Sequence, residues 1–265
     1  MATNTKAKKQ RLDKLLVSRG LVESREKAKA LILAGKVIVG EHRVDKAGTM
    51  FFPDVSIRLK APPMKYVSRG GLKLEAALEA FDVQIKDTKA LDVGASTGGF
   101  TDCLLQHGCD HVTAVDVGYG QLHNKLRQEP RVLSLERTNA RYLTREILQL
   151  EEGAFFDLMV ADVSFISLRL IIGPSLPFLR EGGDLLLLVK PQFEAGRGAT
   201  KGGVVKDDKV RQACADGVRD EAMEWGLVEQ GRIDCPVHGP KGNIEILMWL
   251  KKGPSPAQQT SDESE

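Results

Sequence analysis

Three charged residues close three apolar runs. His111–Val115 ends at Asp116, Phe156–Ala161 at Asp162, and Leu185–Val189 at Lys190. Read as buried parallel strands, these runs deliver all three side chains to one sheet edge, where open α/β sheets bind ligands. A fourth charge, Glu245, lies in the apolar run Asn243–Leu250. Alternation puts it on the face of Leu247 and Trp249. A carboxylate there needs a partner or a wet cleft, and a lysine opposite would serve. The stretch Leu91-Asp92-Val93-Gly94-Ala95-Ser96-Thr97-Gly98-Gly99-Phe100-Thr101 reads as a strand end, a glycine turn and the start of a helix over Gly99–Gln106. Glycines admit a ligand to the backbone, and a helix N-terminus offers N–H donors. The spacing G-x-x-x-G-G is neither the dinucleotide fingerprint nor a P-loop. Asp116 follows about 20 residues on, where an acid accepts hydrogen bonds from ribose hydroxyls. The chemistry implied is a nucleotide-like ligand held beside an acid and a lysine able to handle a proton.

The elements that must position these groups alternate along the chain. The pattern predicts a helix from near Leu72, strand Ala90–Val93, helix Gly99–Gln106, strand His111–Asp116 and helix Gln121–Arg127. Strand Val132–Leu135, helix Thr144–Leu150, strand Phe156–Asp162, helix Leu168–Leu179 and strand Asp184–Lys190 follow. A long helix over Lys206–Trp225 and strands Leu227–Asp234 and Asn243–Leu250 end the series. The fold class is α/β: a doubly wound, Rossmann-like parallel sheet with helices on both faces and a final antiparallel hairpin.

Charge divides the chain. Residues 1–61 hold 14 Lys+Arg against 6 Asp+Glu, a balance of +8, while the whole chain is at +2, so the remainder stands at −6. A basic head on an acidic body suits a polyanion. The head reads as a small α+β module, with helix Arg11–Arg19, a helix capped by Ser24 and ended near Gly35, and strands around Val37–Val39 and Arg43-Val44. Lys14, Arg25, Lys27, Lys29, Lys36 and Arg43 supply its charge. Ala61-Pro62-Pro63-Met64 breaks the pattern, so the expected organisation is a basic N-terminus (1–9), a small domain (10–60), a linker (61–71), a catalytic domain (72–252) and a polar, disordered tail (253–265). No apolar stretch approaches the ~20 residues of a membrane span, and no leader is expected, which points to the cytoplasm. Cys103, Cys109, Cys214 and Cys235 form no C-x-x-C pair and are expected as reduced thiols, with no metal site.

The pair D-x-G-x-x-x-G-G and strand-terminal Asp116 resembles the first motifs of S-adenosylmethionine-dependent methyltransferases. R-L-D-x-x-L followed by S-R-x-x-A-x-x-L-I-x-x-G-x-V-x-V, over about Gln10–Lys60, resembles the S-four type RNA-binding domain. That likeness implies contact with folded RNA by shape and phosphates. Lys73, Asp162, Lys190 and Glu245, in that order, look like the Lys-Asp-Lys-Glu tetrad of FtsJ-type RNA 2′-O-methyltransferases. Ala161-Asp162-Val163-Ser164-Phe165 and Lys190-Pro191-Gln192-Phe193-Glu194 match the TlyA, or hemolysin A, family, over about Gln10–Lys251.

The resemblance implies a methyl transfer from S-adenosylmethionine to a ribose 2′-hydroxyl of ribosomal RNA, free or in ribosomal subunits, with no obligate protein partner. Gly94, Ser96, Gly98, Gly99 and Phe100 are expected around methionine and ribose, Asp116 on the ribose hydroxyls and Asn139 near adenine. Phe100 stands where many FtsJ enzymes have tryptophan, and Asn139 where they have an acid. Arg11, Lys14, Arg25, Lys27, Lys29, Arg43 and Arg69 are expected to meet RNA. Lys190 would accept the hydroxyl proton or stabilise the alkoxide, helped by burial and a neighbouring cation, Lys73. Asp162 would orient Lys190, and Glu245 would balance Lys73 and position the ribose. Residues 196–203 suggest a lid beside Lys190. Three other readings compete: a small-molecule or protein methyltransferase, a non-catalytic assembly factor and a membrane-lytic toxin. The first has no need of the basic head, intact tetrad positions argue against the second, and the third lacks a span or an amphipathic apolar helix.

Overall fold

Contacts within the chain gather into two units, Met1–Met64 and Lys65–Glu265. The structure is a computed structural model that describes residues 8–60, 64–196 and 202–254. The expected lid falls largely outside the described residues, as do 61–63 of the expected linker and most of the expected tail.

The first unit contains β1 (Gln10–Arg11), α1 (Leu12–Ser18), α2 (Arg25–Leu33), β2 (Val37–Val39), β3 (His42–Arg43), β4 (Met50–Phe51) and β5 (Ile57–Leu59). Ser24 caps α2 by accepting from Lys27 N at 3.2 Å, as a serine before a helix should. Leu12, Leu16, Ala28 and Ile32 from the helices pack on Val37 and Val39. Strand β2 pairs antiparallel with β3 and β5, and β1 pairs with β4. Strands β1, β4 and β5 are too short to show as an alternating pattern.

The second unit begins with α3 (Gly70–Ala80), inside the stretch expected as linker. Then come β6 (Lys89–Val93), α4 (Gly99–Gln106), β7 (His111–Val115), α5 (Asn124–Arg127), β8 (Val132–Leu135), β9 (Phe156–Ala161) and α6 (Arg169–Ser175). The chain continues through β10 (Leu179–Val189), α7 (Pro191–Glu194), α8 (Asp208–Glu224), β11 (Leu227–Asp234) and β12 (Ile246–Lys252). Seven strands form one sheet in the order β8-β7-β6-β9-β10-β12-β11. The first five are parallel, and β12 runs antiparallel to both its neighbours. Both faces are covered, so side chains split by parity. Leu185, Leu187 and Val189 of β10 enter one core, and Leu186 and Leu188 the other, which is why these strands read as continuous apolar runs.

Three expectations need correction. Thr144–Leu150 is a set of turns: Leu148 N reaches Thr144 O, but Gln149 then adopts φ 53°, which stops a helix. The expected Leu168–Leu179 helix shortens to α6, followed by a 3₁₀ turn at Leu176–Phe178. The last strand starts at Ile246, so Glu245 stands one residue before it rather than within it.

Candidate active site

The strand order reverses between β6 and β9, and loops leaving their carboxyl ends part there. Asp116 follows β7, Asp162 follows β9, and Lys190 follows β10. Strand β12 runs the other way, with Ile246 opposite Val189. Its preceding residue, Glu245, therefore arrives at the same edge as Lys190. Lys73 comes from the first turn of α3.

These four groups form two ion pairs. Lys73 Nζ donates to Glu245 Oε2 at 2.5 Å, with side chains 10% and 0% exposed. Lys190 Nζ lies 2.5 Å from Asp162 Oδ1 and donates to Ser164 Oγ at 2.8 Å. The pairs are the ones the resemblance implies, Asp162 with Lys190 and Glu245 with Lys73. One part of the expected arrangement changes. Glu245 is too deep to touch a ribose: a Cβ on Gly239 would stand 2.3 Å from its Oε1, which has no hydrogen-bond partner among the described residues. Its other oxygen meets Lys73.

Beside the Lys190 pair lies a cleft of about 360 Å³, lined by Gly94, Ser96, Asp116, Asn139 and Asp162 and walled by Val93, Val115, Val117, Ala140, Ile166 and Ile171. Gly94 has φ +83°, and an added Cβ would stand 2.9 Å from the Asp162 carbonyl oxygen, so only glycine keeps this floor open. Asp116 ties two loops together, accepting from Ser96 N at 2.8 Å and Gly118 N at 2.6 Å. Asn139 Oδ1 accepts from Arg141 N at 3.1 Å, which leaves its NH₂ as the donor. A largely apolar cleft with an acid and an amide in its lining fits an adenosyl group, and the volume is in the usual ligand range.

Gly98, Gly99 and Phe100 do not line this cleft; they pack. Gly98, at φ +91°, has Leu126 Cδ1 2.2 Å from where a Cβ would sit. Gly99 has Ser68 Oγ at 2.3 Å and Gly71 N at 2.8 Å from that position. Phe100 is 3% exposed in the core. The glycine pair thus lets α4 begin against the start of α3, where Lys73 is mounted.

Sequence reasoning passed over four residues. Ser164 is the second partner of Lys190. Thr138 lines the cleft. Phe165 also lines it, with φ +65° and 91% exposure; its ring lies 5.2 Å from that of Phe193. Asp92, the first residue of the quoted D-x-G motif, is fully buried. Its Oδ2 accepts from Thr101 Oγ1 at 2.6 Å, and its Oδ1 has no hydrogen-bond partner among the described residues. Burial, reinforced by Asp162 and Asp116, pushes its carboxyl up to about 7. The motif signalled Asp92, but nothing in it signals Phe165.

In the first unit the arginines are partly committed. Arg11 and Arg25 bracket buried Asp13 at 3.0 and 2.7 Å. The Arg11 guanidinium holds that carboxyl well below the usual range. Lys27 pairs with Glu23 at 3.3 Å, and Arg43 lies over Gly35. Lys14, Lys29, Arg43 and Arg69 are exposed. No helix among the described residues is long and apolar enough to cross a membrane.

Comparison with known proteins agrees with this geometry. Residues 66–252 match the FtsJ-like methyltransferase family, and residues 10–51 match the S4 domain. A Mycobacterium tuberculosis protein named 16S/23S rRNA (cytidine-2′-O)-methyltransferase TlyA is 44% identical over 92% of this chain and 91% of its own length. Hemolysin A of Brachyspira hyodysenteriae is 41% identical over 89% of this chain and 98% of its own. A solved structure from Streptococcus thermophilus, described as a candidate hemolysin, superposes with a TM-score of 0.71 at 42% identity, over 94% of this chain and 90% of that one. By sequence and by fold, then, the chain belongs to the FtsJ-like methyltransferases, with an S4 domain at its N-terminus.

Proposed function

We propose that the chain methylates a ribose 2′-hydroxyl of ribosomal RNA in the cytoplasm, with S-adenosylmethionine as cofactor. The observation that carries this is the Lys190 amine, held between Asp162 and Ser164 at the rim of the nucleoside-sized cleft. The names of the relatives make cytidine the first nucleotide to assay.

Bound in the cleft, the cofactor supplies an electrophilic methyl group. The rest falls to side chains. A ribose hydroxyl is a weak nucleophile, so charge on its oxygen must be stabilised as its proton leaves. A lysine ammonium has three N–H donors. Ser164 takes one, Asp162 holds the amine as an ion pair at 2.5 Å, and a remaining donor serves the 2′-oxygen, stabilising the developing oxyanion. For the proton to leave, the ammonium gives one N–H proton to Asp162, and the lone pair this frees on Lys190 accepts the hydroxyl proton. Lys73 adds positive charge beside this edge, and Glu245 keeps it there. Phe165 offers an exposed ring face for stacking a nucleobase. Exposed Lys14, Lys29, Arg43 and Arg69 suit phosphate contacts.

The test uses purified protein, tritiated S-adenosylmethionine and ribosomal RNA or subunits from a strain lacking the protein. Label is expected in an alkali-resistant dinucleotide, and Lys190→Ala should abolish it while still binding cofactor. Label on a base would overturn the ribose assignment. No transfer to any RNA, with cofactor bound, would favour the assembly-factor reading.

A further inference from the structure

Glu194 is a buried acid that the mechanism above does not use. Its side chain is 2% exposed, at the end of α7. One oxygen accepts from Ser167 Oγ at 2.6 Å and the other from Leu168 N at 2.8 Å. Arg169 lies 3.9 Å away, and burial pushes the carboxyl above its ordinary range. The loop it holds carries Asp162, Ser164 and Phe165. Phe165 at φ +65° is strained. A non-glycine residue there costs roughly 1–3 kcal/mol and persists only if its surroundings enforce it. At 91% exposure the ring gains little burial to offset that cost. The enforcement comes from the Lys190–α7 segment. Lys190 holds Ser164, the Phe193 ring lies tilted against that of Phe165, and Glu194 fastens the far end of the loop.

We propose that Glu194 is a positioning residue for methyl transfer. It acts through the loop 163–168 to keep Ser164 on Lys190, and so fixes the direction of the amine's remaining donor. The inference rests on the 2′-O-methyltransferase reading above. A displaced catalytic group can cost on the order of 100-fold in rate, so the effect should appear in the chemical step.

The experiment measures single-turnover methyl transfer by the full chain for wild type, Glu194→Ala, Glu194→Gln, Ser164→Ala and the Glu194→Ala/Ser164→Ala double variant. Cofactor titration gives the competent fraction of each. Glu194→Ala should slow transfer roughly 10- to 100-fold, with the KM for RNA within about twofold. Glu194→Gln keeps one carbonyl acceptor and should recover part of the rate. The double variant should be no slower than its slower single, since both act on one amine. The proposal is overturned by a wild-type rate in Glu194→Ala. It is also overturned by a loss that disappears once rates are scaled to the competent fraction, or by losses that multiply in the double variant. If the wild type itself labels no ribose, the functional reading fails and takes this role with it. A labelling wild type with an unimpaired Glu194→Ala refutes this role alone.

Discussion

Replacing Lys73 with methionine isolates the most deeply buried charge pair in the site. Lys73 and Glu245 meet at 2.5 Å with side chains 10% and 0% exposed. Because neither is solvent-screened, removing one leaves the other uncompensated. Glu245 Oε1 already lacks a hydrogen-bond partner among the described residues, so Lys73→Met strands the whole carboxylate. Breaking a buried pair from one side costs about 3–5 kcal/mol. For a unit of this size, that lowers the melting midpoint by roughly 6–20 °C. Glu245→Met should cost a similar amount. The double variant removes both charges and their desolvation, and its loss should fall to about 1 kcal/mol or reverse. Methyl transfer should stay lost in all three, since Lys73 is gone or unheld. The assay is thermal unfolding of the full chain, with the catalytic unit's transition identified as the one that S-adenosylmethionine raises. Two results would refute the reasoning: single variants that melt with the wild type, or a double variant that loses the sum of the singles.

Other perturbations separate neighbouring residues. Gly98→Ala forces a Cβ 2.2 Å from Leu126 Cδ1 at φ +91° and should lower the melting midpoint with cofactor affinity kept, whereas Gly94→Ala, at φ +83° and 2.9 Å from the Asp162 carbonyl oxygen, should lower the midpoint and weaken cofactor binding by calorimetry as well. Asp92, with a native value of about 7 against an unfolded value of about 4, binds more protons in the native state between the two. Its stabilising contribution is present below pH 4 and is lost as pH rises to 7. Asp92→Asn, which mimics the protonated carboxyl, should therefore gain melting temperature over wild type between pH 5 and pH 8; a constant difference would contradict this. Phe165→Ala removes an exposed ring and leaves the φ +65° backbone as it is, so stability should hold. If the ring stacks a base, kcat/KM for RNA should fall by about 1–3 kcal/mol in effect, roughly 5- to 150-fold.

Periodicity and motif spacing made much of this protein legible in advance. Asp116, Asp162 and Lys190 could be placed on one sheet edge because parallel strands buried on both faces are apolar throughout, so a terminal charge stands out. The glycine turn showed where the ligand cleft would open. Local pattern does not say which partner each charge meets; the pairing of Asp162 with Lys190 and of Glu245 with Lys73 came only with the family resemblance. The antiparallel insertion of β12 beside β10 brings Glu245 to that edge, and the burial that results sends it to Lys73 and away from the ribose. Lys190 received Asp162 and Ser164, because the loop after β9 returns over the end of β10. Gly98, Gly99 and Phe100 share the motif with Gly94, yet they serve helix packing, since contact with α3 and α5 is decided by distant segments. Phe165 and Glu194 end the two short motifs that carry the family resemblance, yet the motifs assign neither a role. Their significance rests on a backbone angle and on hydrogen bonds across 26 and 27 residues of chain, and only the folded loop establishes either.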